Sequence, residues 1–101
     1  MNKEQIKLLS LPVLKKYGVL KGALFGSIVR GDSTRESDVD LLVEFEEGRS
    51  LLDLIGVKLE LEELLNMKVD VVTFEALHPL LRDAILSEQE KFYEASAARL
   101  S

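Results

Sequence analysis

The segment SDVDLLVEF, residues 37–45, constrains the fold of this 101-residue chain more than any other stretch. Alternate side chains of a β-strand point to opposite faces, so a strand here would have one wholly apolar face. That face consists of Val39, Leu41, Val43 and Phe45. We expect helices to pack against it. The opposite face begins with Asp38 and Asp40, and burying a carboxylate is costly unless a partner or a cation compensates its charge.

The rest of the chain alternates between helical and strand patterns, which is typical of an α/β unit. Helical spacing over residues 2–17 is interrupted by Pro12 after Ser10, which predicts two short helices. Further strands are predicted over 19–26 and 68–74, and a short edge strand over EKFYE at 90–94.

Two more helices complete the predicted order. The longer begins at a capping box of Ser50 and Asp53, and a second begins where His78 precedes Pro79. The apolar residues expected to face inward from the longer helix are Leu51, Leu54, Ile55, Val57, Leu61, Leu64 and Leu65. The fold class is therefore α/β (α+β): a single domain over residues 1–101, with a central mixed sheet of three to four strands flanked by helices.

Composition excludes several classes of function. A net charge of −5 argues against non-specific nucleic-acid binding, so no direct nucleic-acid partner is expected. The chain has no cysteine, which excludes disulfides, zinc–thiolate sites and a cysteine nucleophile. No apolar run approaches the roughly 18 residues of a membrane span, and we expect a cytoplasmic protein.

Three aspartates indicate a metal site. The Cα atoms of Asp38 and Asp40 are expected about 6.6 Å apart on one face of their strand, and Asp70 lies on another predicted strand. Asp40 is followed by LLV and Asp70 by VV, so we expect both acids to be embedded in their strands. If the two strands are neighbours, the three carboxylates converge. Each like-charged pair at 4 Å would repel by about 4 kcal/mol at an effective dielectric of 20, so protons or a divalent cation must compensate. All-oxygen ligation suits Mg²⁺, with Mn²⁺ as the alternative.

The turn after the first strand predicts a phosphate site. Gly26 and Ser27 open a short helical turn, where backbone N–H groups and a hydroxyl are available to an anion. Arg30 is spaced to reach a phosphate as well, and Gly31 would end the turn.

These motifs occur in an order that resembles the minimal nucleotidyltransferases of the DNA polymerase β superfamily. The matching segments are GSIVRG, SDVDLLV and VDVV. The resemblance implies a Mg²⁺-dependent enzyme that transfers AMP from ATP to a hydroxyl. It also implies that Gly26, Ser27 and Arg30 bind the nucleotide, while Asp38, Asp40 and Asp70 are the catalytic and metal-binding acids.

Stand-alone members of this size resemble the antitoxin partners of HEPN-domain ribonuclease toxins, some of which transfer AMP to a tyrosine of the toxin. The expected partners are therefore a nucleoside triphosphate and a HEPN toxin. Two alternatives stay open: a non-catalytic nucleotide- or metal-binding antitoxin that masks its partner, and a small-molecule nucleotidyltransferase. Retention of all three acids favours catalysis. Homo-oligomerisation is also left open, and self-modification of Tyr17 or Tyr93 has no positive support.

Overall fold

The computed structural model describes residues 2–31 and 39–95, and every structural statement below concerns these residues. In chain order the elements are α1 (Lys3–Lys16), β1 (Val19–Phe25), α2 (Ser27–Arg30), β2 (Val39–Phe45), α3 (Leu51–Leu65), β3 (Val69–Thr73), a 3₁₀ turn (Phe74–Ala76), α4 (Pro79–Glu88) and β4 (Glu90–Glu94).

The four strands form one mixed sheet in the order β3-β2-β1-β4. β1 runs antiparallel to both β2 and β4, whereas β2 and β3 are parallel. This small α+β domain confirms the predicted fold class, and β4 occupies the edge position expected for EKFYE. In the described part of the chain, no helix combines the length and the apolar character needed to cross a membrane.

The apolar face of β2 is the centre of the main core. Val39, Leu41 and Val43 are at most 1% exposed and cluster with buried residues of α1 and α3. On the other face of β2, the buried Leu42 joins a smaller cluster with Ala23 and Leu77, against which side chains of α4 pack. The expected layer of helices over the apolar face is confirmed.

The predicted break in the first helix is wrong, because α1 continues through Pro12. Packing on both sides of the proline holds the helix together: Ile6 and Leu14 are fully buried. Ser10 is also buried, and its hydroxyl donates a hydrogen bond to the Ile6 carbonyl at 2.6 Å rather than capping a new helix. Tertiary packing here outweighs the local cost of proline within a helix.

The inward face of α3 is narrower than predicted. Val57, Leu61 and Leu65 are buried at successive four-residue steps, whereas Leu51 is 69% exposed, Leu64 is 46% exposed and Ile55 is 39% exposed. One sheet face covers only one stripe of a helix, so a helix this rich in leucine leaves part of its apolar surface uncovered.

Local contacts explain where two of the helices begin and why α3 contains a glycine. The Ser50–Asp53 capping box forms as predicted, and the His78 ring accepts a hydrogen bond from the Leu80 N–H, which confirms its role at the start of α4. Gly56 lies where α3 meets Tyr17 at the end of α1. A β-carbon at this glycine would clash with the Tyr17 ring, so glycine permits the close approach of the two helices.

Candidate active site

Two of the three predicted acids come together at one end of the sheet. Phe25, the last residue of β1, pairs with Asp40 of β2. Asp40 is in register with Asp70 on the parallel neighbour β3. Residues in register on adjacent strands are about 4.8 Å apart and point to the same face. The condition set by the sequence, that the two acid-bearing strands be neighbours, is met.

The two acids differ in exposure. Asp40 is half-buried, as expected for an acid inside a central strand, but Asp70 is exposed. The expectation that both acids are embedded is therefore wrong for Asp70. The reason is topological: β3 is an edge strand, and apolar neighbours along the chain do not cover its outer side.

Asp38, the third predicted acid, lies outside the described residues. Within 2–31 and 39–95, no three histidine, cysteine or acidic side chains are grouped as a metal site would require. The pair of Asp40 and Asp70 supplies only carboxylate oxygens on one face, which is the donor chemistry that Mg²⁺ or Mn²⁺ prefers. The residues present therefore fit a hard divalent cation.

The glycine turn packs directly against the Asp40 carboxylate. Gly26 has φ 79° and ψ −154°, a backbone conformation that is almost restricted to glycine. A β-carbon at this position would clash with the carboxylate oxygen of Asp40. Gly26 precedes α2, whose first residue is Ser27, and Gly31 ends α2 in the left-handed conformation as predicted. The turn thus lies beside Asp40, with Asp70 on the next strand of the sheet and Arg30 at the last position of α2.

A residue that the sequence reasoning missed contributes to this site. Glu88, the last residue of α4, accepts a hydrogen bond from the Gly26 N–H at 2.9 Å. The Arg30 guanidinium also donates to the two Glu88 carboxylate oxygens, at 3.2 and 3.3 Å. No local pattern marks this glutamate. The pairing of β4 with β1 in the assembled sheet brings it to the turn.

Side chains from α3 hold the strand that carries Asp70. Val69, immediately before Asp70, donates its N–H to Glu62 at 3.0 Å and accepts from the Lys58 ammonium at 2.7 Å. Lys58 and Glu62 also form an ion pair at 3.0 Å. The Val69 N–H and then the Lys58 ammonium lower the pKa of Glu62. This arrangement, the Lys58–Glu62–Val69 clamp, ties β3 to α3.

The chain matches known proteins along most of its length. A family model described as a nucleotidyltransferase domain matches residues 6–91. A candidate protein adenylyltransferase from Methanocaldococcus jannaschii is 51% identical over 88 residues, which span 87% of this chain and 95% of that protein.

Two solved structures show the same fold. A candidate minimal nucleotidyltransferase superposes with a TM-score of 0.79 at 41% identity, covering 89% of this chain and 95% of that one. A chain from the complex of a tri-AMPylated Shewanella oneidensis HEPN toxin with its MNT antitoxin superposes with a TM-score of 0.70. It is 14% identical and the match covers 95% of this chain and 76% of that chain, so the likeness concerns the fold.

Proposed function

Because this chain belongs to the nucleotidyltransferase domain family, as a minimal nucleotidyltransferase of the DNA polymerase β superfamily, we propose that it transfers AMP from ATP to a tyrosine hydroxyl of a HEPN-domain toxin. The observation that carries the proposal is the packing of the Gly26 turn against Asp40, with Asp70 in register beside it. A phosphate-binding turn and metal-binding carboxylates must be adjacent for such a transfer.

The residues divide into two groups by their chemistry. Gly26, Ser27 and Arg30 hold the triphosphate through a backbone N–H, a hydroxyl and a guanidinium. Asp38, Asp40 and Asp70 hold Mg²⁺, which when bound neutralises charge on the phosphates and the leaving group. Asp70 also accepts the proton of the acceptor hydroxyl, and its exposure leaves it accessible to an incoming protein.

The transfer itself exchanges one phosphorus–oxygen bond for another. The tyrosine oxygen attacks the α-phosphorus of ATP, and the bond from that phosphorus to the oxygen bridging to the β-phosphate breaks. Pyrophosphate leaves, the hydroxyl proton passes to the Asp70 carboxylate, and AMP stays on the tyrosine through a phosphodiester. The chain's own contribution is to orient the α-phosphate between the turn and the acids, since positioning supplies much of the rate in such reactions.

The acceptor lies on another protein in this proposal. Tyr17 precedes β1, while Gly26 follows it, and the seven residues of that strand separate the two by roughly 20 Å. Tyr17 is therefore too far away to be modified in its own molecule. The relatives support a protein acceptor, since one is named a candidate protein adenylyltransferase and another complex contains an AMP-modified toxin.

We place the reaction in the cytoplasm, because the cysteine-free composition suits a reducing compartment.

Label transfer tests the proposal. The protein is incubated with Mg²⁺ and ATP labelled at the α-phosphate in extract from its source cells, beside Asp40→Asn and Asp70→Asn variants. We expect one labelled protein band of the partner, AMP on tyrosine by mass spectrometry, and a loss of label of at least about 100-fold in both variants. Glu63→Gln removes the same charge from an exposed position of α3 and should leave labelling unchanged.

The other readings give different results in the same experiment. Label on a small molecule instead of a protein would indicate a small-molecule nucleotidyltransferase. Binding of the partner without any label that depends on Asp40 would indicate a non-catalytic antitoxin. Full transfer by Asp40→Asn would contradict the mechanism.

A further inference from the structure

The Glu88 carboxylate accepts hydrogen bonds from Gly26 and Arg30, two of the residues proposed to bind the triphosphate. The Gly26 N–H donates to one of its oxygens at 2.9 Å, and the Arg30 guanidinium donates to both of its oxygens. The Glu88 side chain is 27% exposed, so the contact is reachable from solvent. A carboxylate and a phosphate present the same kind of anionic oxygen to such donors.

The sheet register places Glu88 there. In the antiparallel pairing of β1 with β4, Leu24 is opposite Glu90. Continuing that register by two residues brings Gly26 opposite Glu88. The pairing of the two strands therefore sets the backbone positions from which the Glu88 side chain reaches the Gly26 N–H.

Glu88 and a bound phosphate are mutually exclusive at the Gly26 N–H. A backbone N–H makes one good hydrogen bond in one direction, and the unusual φ and ψ of Gly26 fix that direction. A phosphate at the same donor would also lie close to the Glu88 carboxylate, and two anions repel at that distance. Bound nucleotide requires the Glu88 side chain to move away.

We infer that Glu88 is an internal competitor of the triphosphate, which holds Gly26 and Arg30 in the nucleotide-free protein and is displaced when nucleotide binds. The inference rests on the proposed function, because it concerns the same nucleotide site. Each binding event exchanges an intramolecular carboxylate for a phosphate, so Glu88 weakens nucleotide affinity without contacting the reacting atoms.

Binding measurements with Glu88→Ala test the inference. The probes are Mg²⁺ with α,β-methylene-ATP, which is not cleaved at the α-phosphate, and inorganic tripolyphosphate with Mg²⁺. We expect Glu88→Ala to bind both probes about tenfold more tightly than the wild type. The wild type must break charged hydrogen bonds of Glu88 before a probe binds, and breaking one such bond is enough to weaken affinity about tenfold. Glu88→Gln, which keeps an acceptor but removes the charge, should show a smaller gain.

Controls separate competition from a general charge effect. Glu63→Ala makes the equivalent change on the exposed face of α3 and should bind both probes like the wild type. Thermal unfolding of each variant shows that it is folded. Equal or weaker binding by folded Glu88→Ala would overturn the inference, and an equal gain in Glu63→Ala would do the same.

A second measurement follows Glu88 in the wild-type protein itself. The carboxylate ¹³C resonance of Glu88, assigned by its loss in Glu88→Gln, should shift as tripolyphosphate is added. A resonance that stays unchanged at saturation would overturn the inference. If neither the wild type nor Glu88→Ala binds either probe, the proposed function fails with it. If the wild type binds and Glu88→Ala gains nothing, only the role of Glu88 fails.

Discussion

Gly26 combines two requirements that only glycine satisfies at once. Its backbone is in a region that other residues avoid, and its missing side chain leaves room for the Asp40 carboxylate. Gly31, at the other end of α2, also has a positive φ, of 82°, but a β-carbon there would meet no atom of residues 2–31 or 39–95 within 4 Å. Substituting each glycine in turn therefore distinguishes the effect of backbone strain from the effect of a steric clash with Asp40.

Gly26→Ala should abolish nucleotidyl transfer, with a loss of about 100-fold or more, because the added methyl group displaces Asp40 or the turn by a substantial fraction of an ångström. Gly31→Ala places alanine in the left-handed region, at a cost of about 1–2 kcal/mol, where its β-carbon would contact none of the described residues. Label transfer and thermal unfolding on both variants check this. Equal losses of activity in the two would show that strain alone, rather than contact with Asp40, explains the glycine.

At the scale of single elements, the Lys58–Glu62–Val69 clamp has a pH dependence that can be derived from its contacts. The Val69 N–H and the Lys58 ammonium favour the ionised carboxyl and lower the pKa of Glu62 below its ordinary 4.5. The folded state therefore gains stability from ionised Glu62 at neutral pH. That contribution is lost as the pH falls below about 4.5 and through the lowered pKa of the folded state.

Glu62→Gln should therefore be less stable than the wild type at pH 7, and the difference in the free energy of unfolding should shrink toward pH 3. Urea unfolding at several pH values measures it. The neighbouring Glu63→Gln provides the matched control, since Glu63 is exposed and does not contact Val69 in the described structure. A difference between wild type and Glu62→Gln that is constant with pH would contradict the clamp.

The elements also show what the sequence could and could not predict. The placement of Asp40, Asp70 and Gly26 on neighbouring elements is predictable because their spacing along each strand or turn is a local signal, while their roles stay predictions. The continuous α1 was missed because burial of Ile6, Ser10 and Leu14 outweighs Pro12, and burial is not visible in a local pattern. The exposed part of α3 was missed because leucine spacing does not tell which leucines the sheet will cover.

Glu88 was missed for a different physical reason. Its contact with Gly26 spans 62 positions along the chain and follows from the register of β4 on β1. No periodicity within α4 encodes that register. The acids and the glycine turn were thus predictable from short motifs, whereas the side chain that opposes them required the assembled sheet.

At the scale of the whole molecule, Glu90 joins the first helix to the last strand. Its carboxylate pairs with Lys3 at 2.7 Å and with Lys7 at 2.9 Å. Hydrogen bonds from Lys3 and then Lys7 lower the pKa of Glu90, and the Glu90 carboxylate raises the pKa of Lys7. Both charges are therefore favoured in the fold at neutral pH.

Glu90→Gln should lower the free energy of unfolding by about 1 kcal/mol or less, because the Glu90 side chain is 35% exposed and solvent screens the pairs. The loss should largely disappear in about 1 M salt, where the screening length is about 3 Å. Urea unfolding of both proteins at low and high salt checks this. A loss that is independent of salt would indicate that packing, not charge, accounts for the change.

The position of Glu88 in the chain has a consequence for how such a protein can change over generations. Gly26, Ser27, Arg30, Asp40 and Asp70 all lie within residues 26–70, whereas Glu88 follows them. Under the proposed roles of these residues, substitutions in the last helix and strand would tune how tightly nucleotide is held, while the groups proposed to carry out the reaction stay the same. The residue proposed to limit nucleotide affinity and the residues proposed for the transfer reaction therefore lie in separate segments of one small chain.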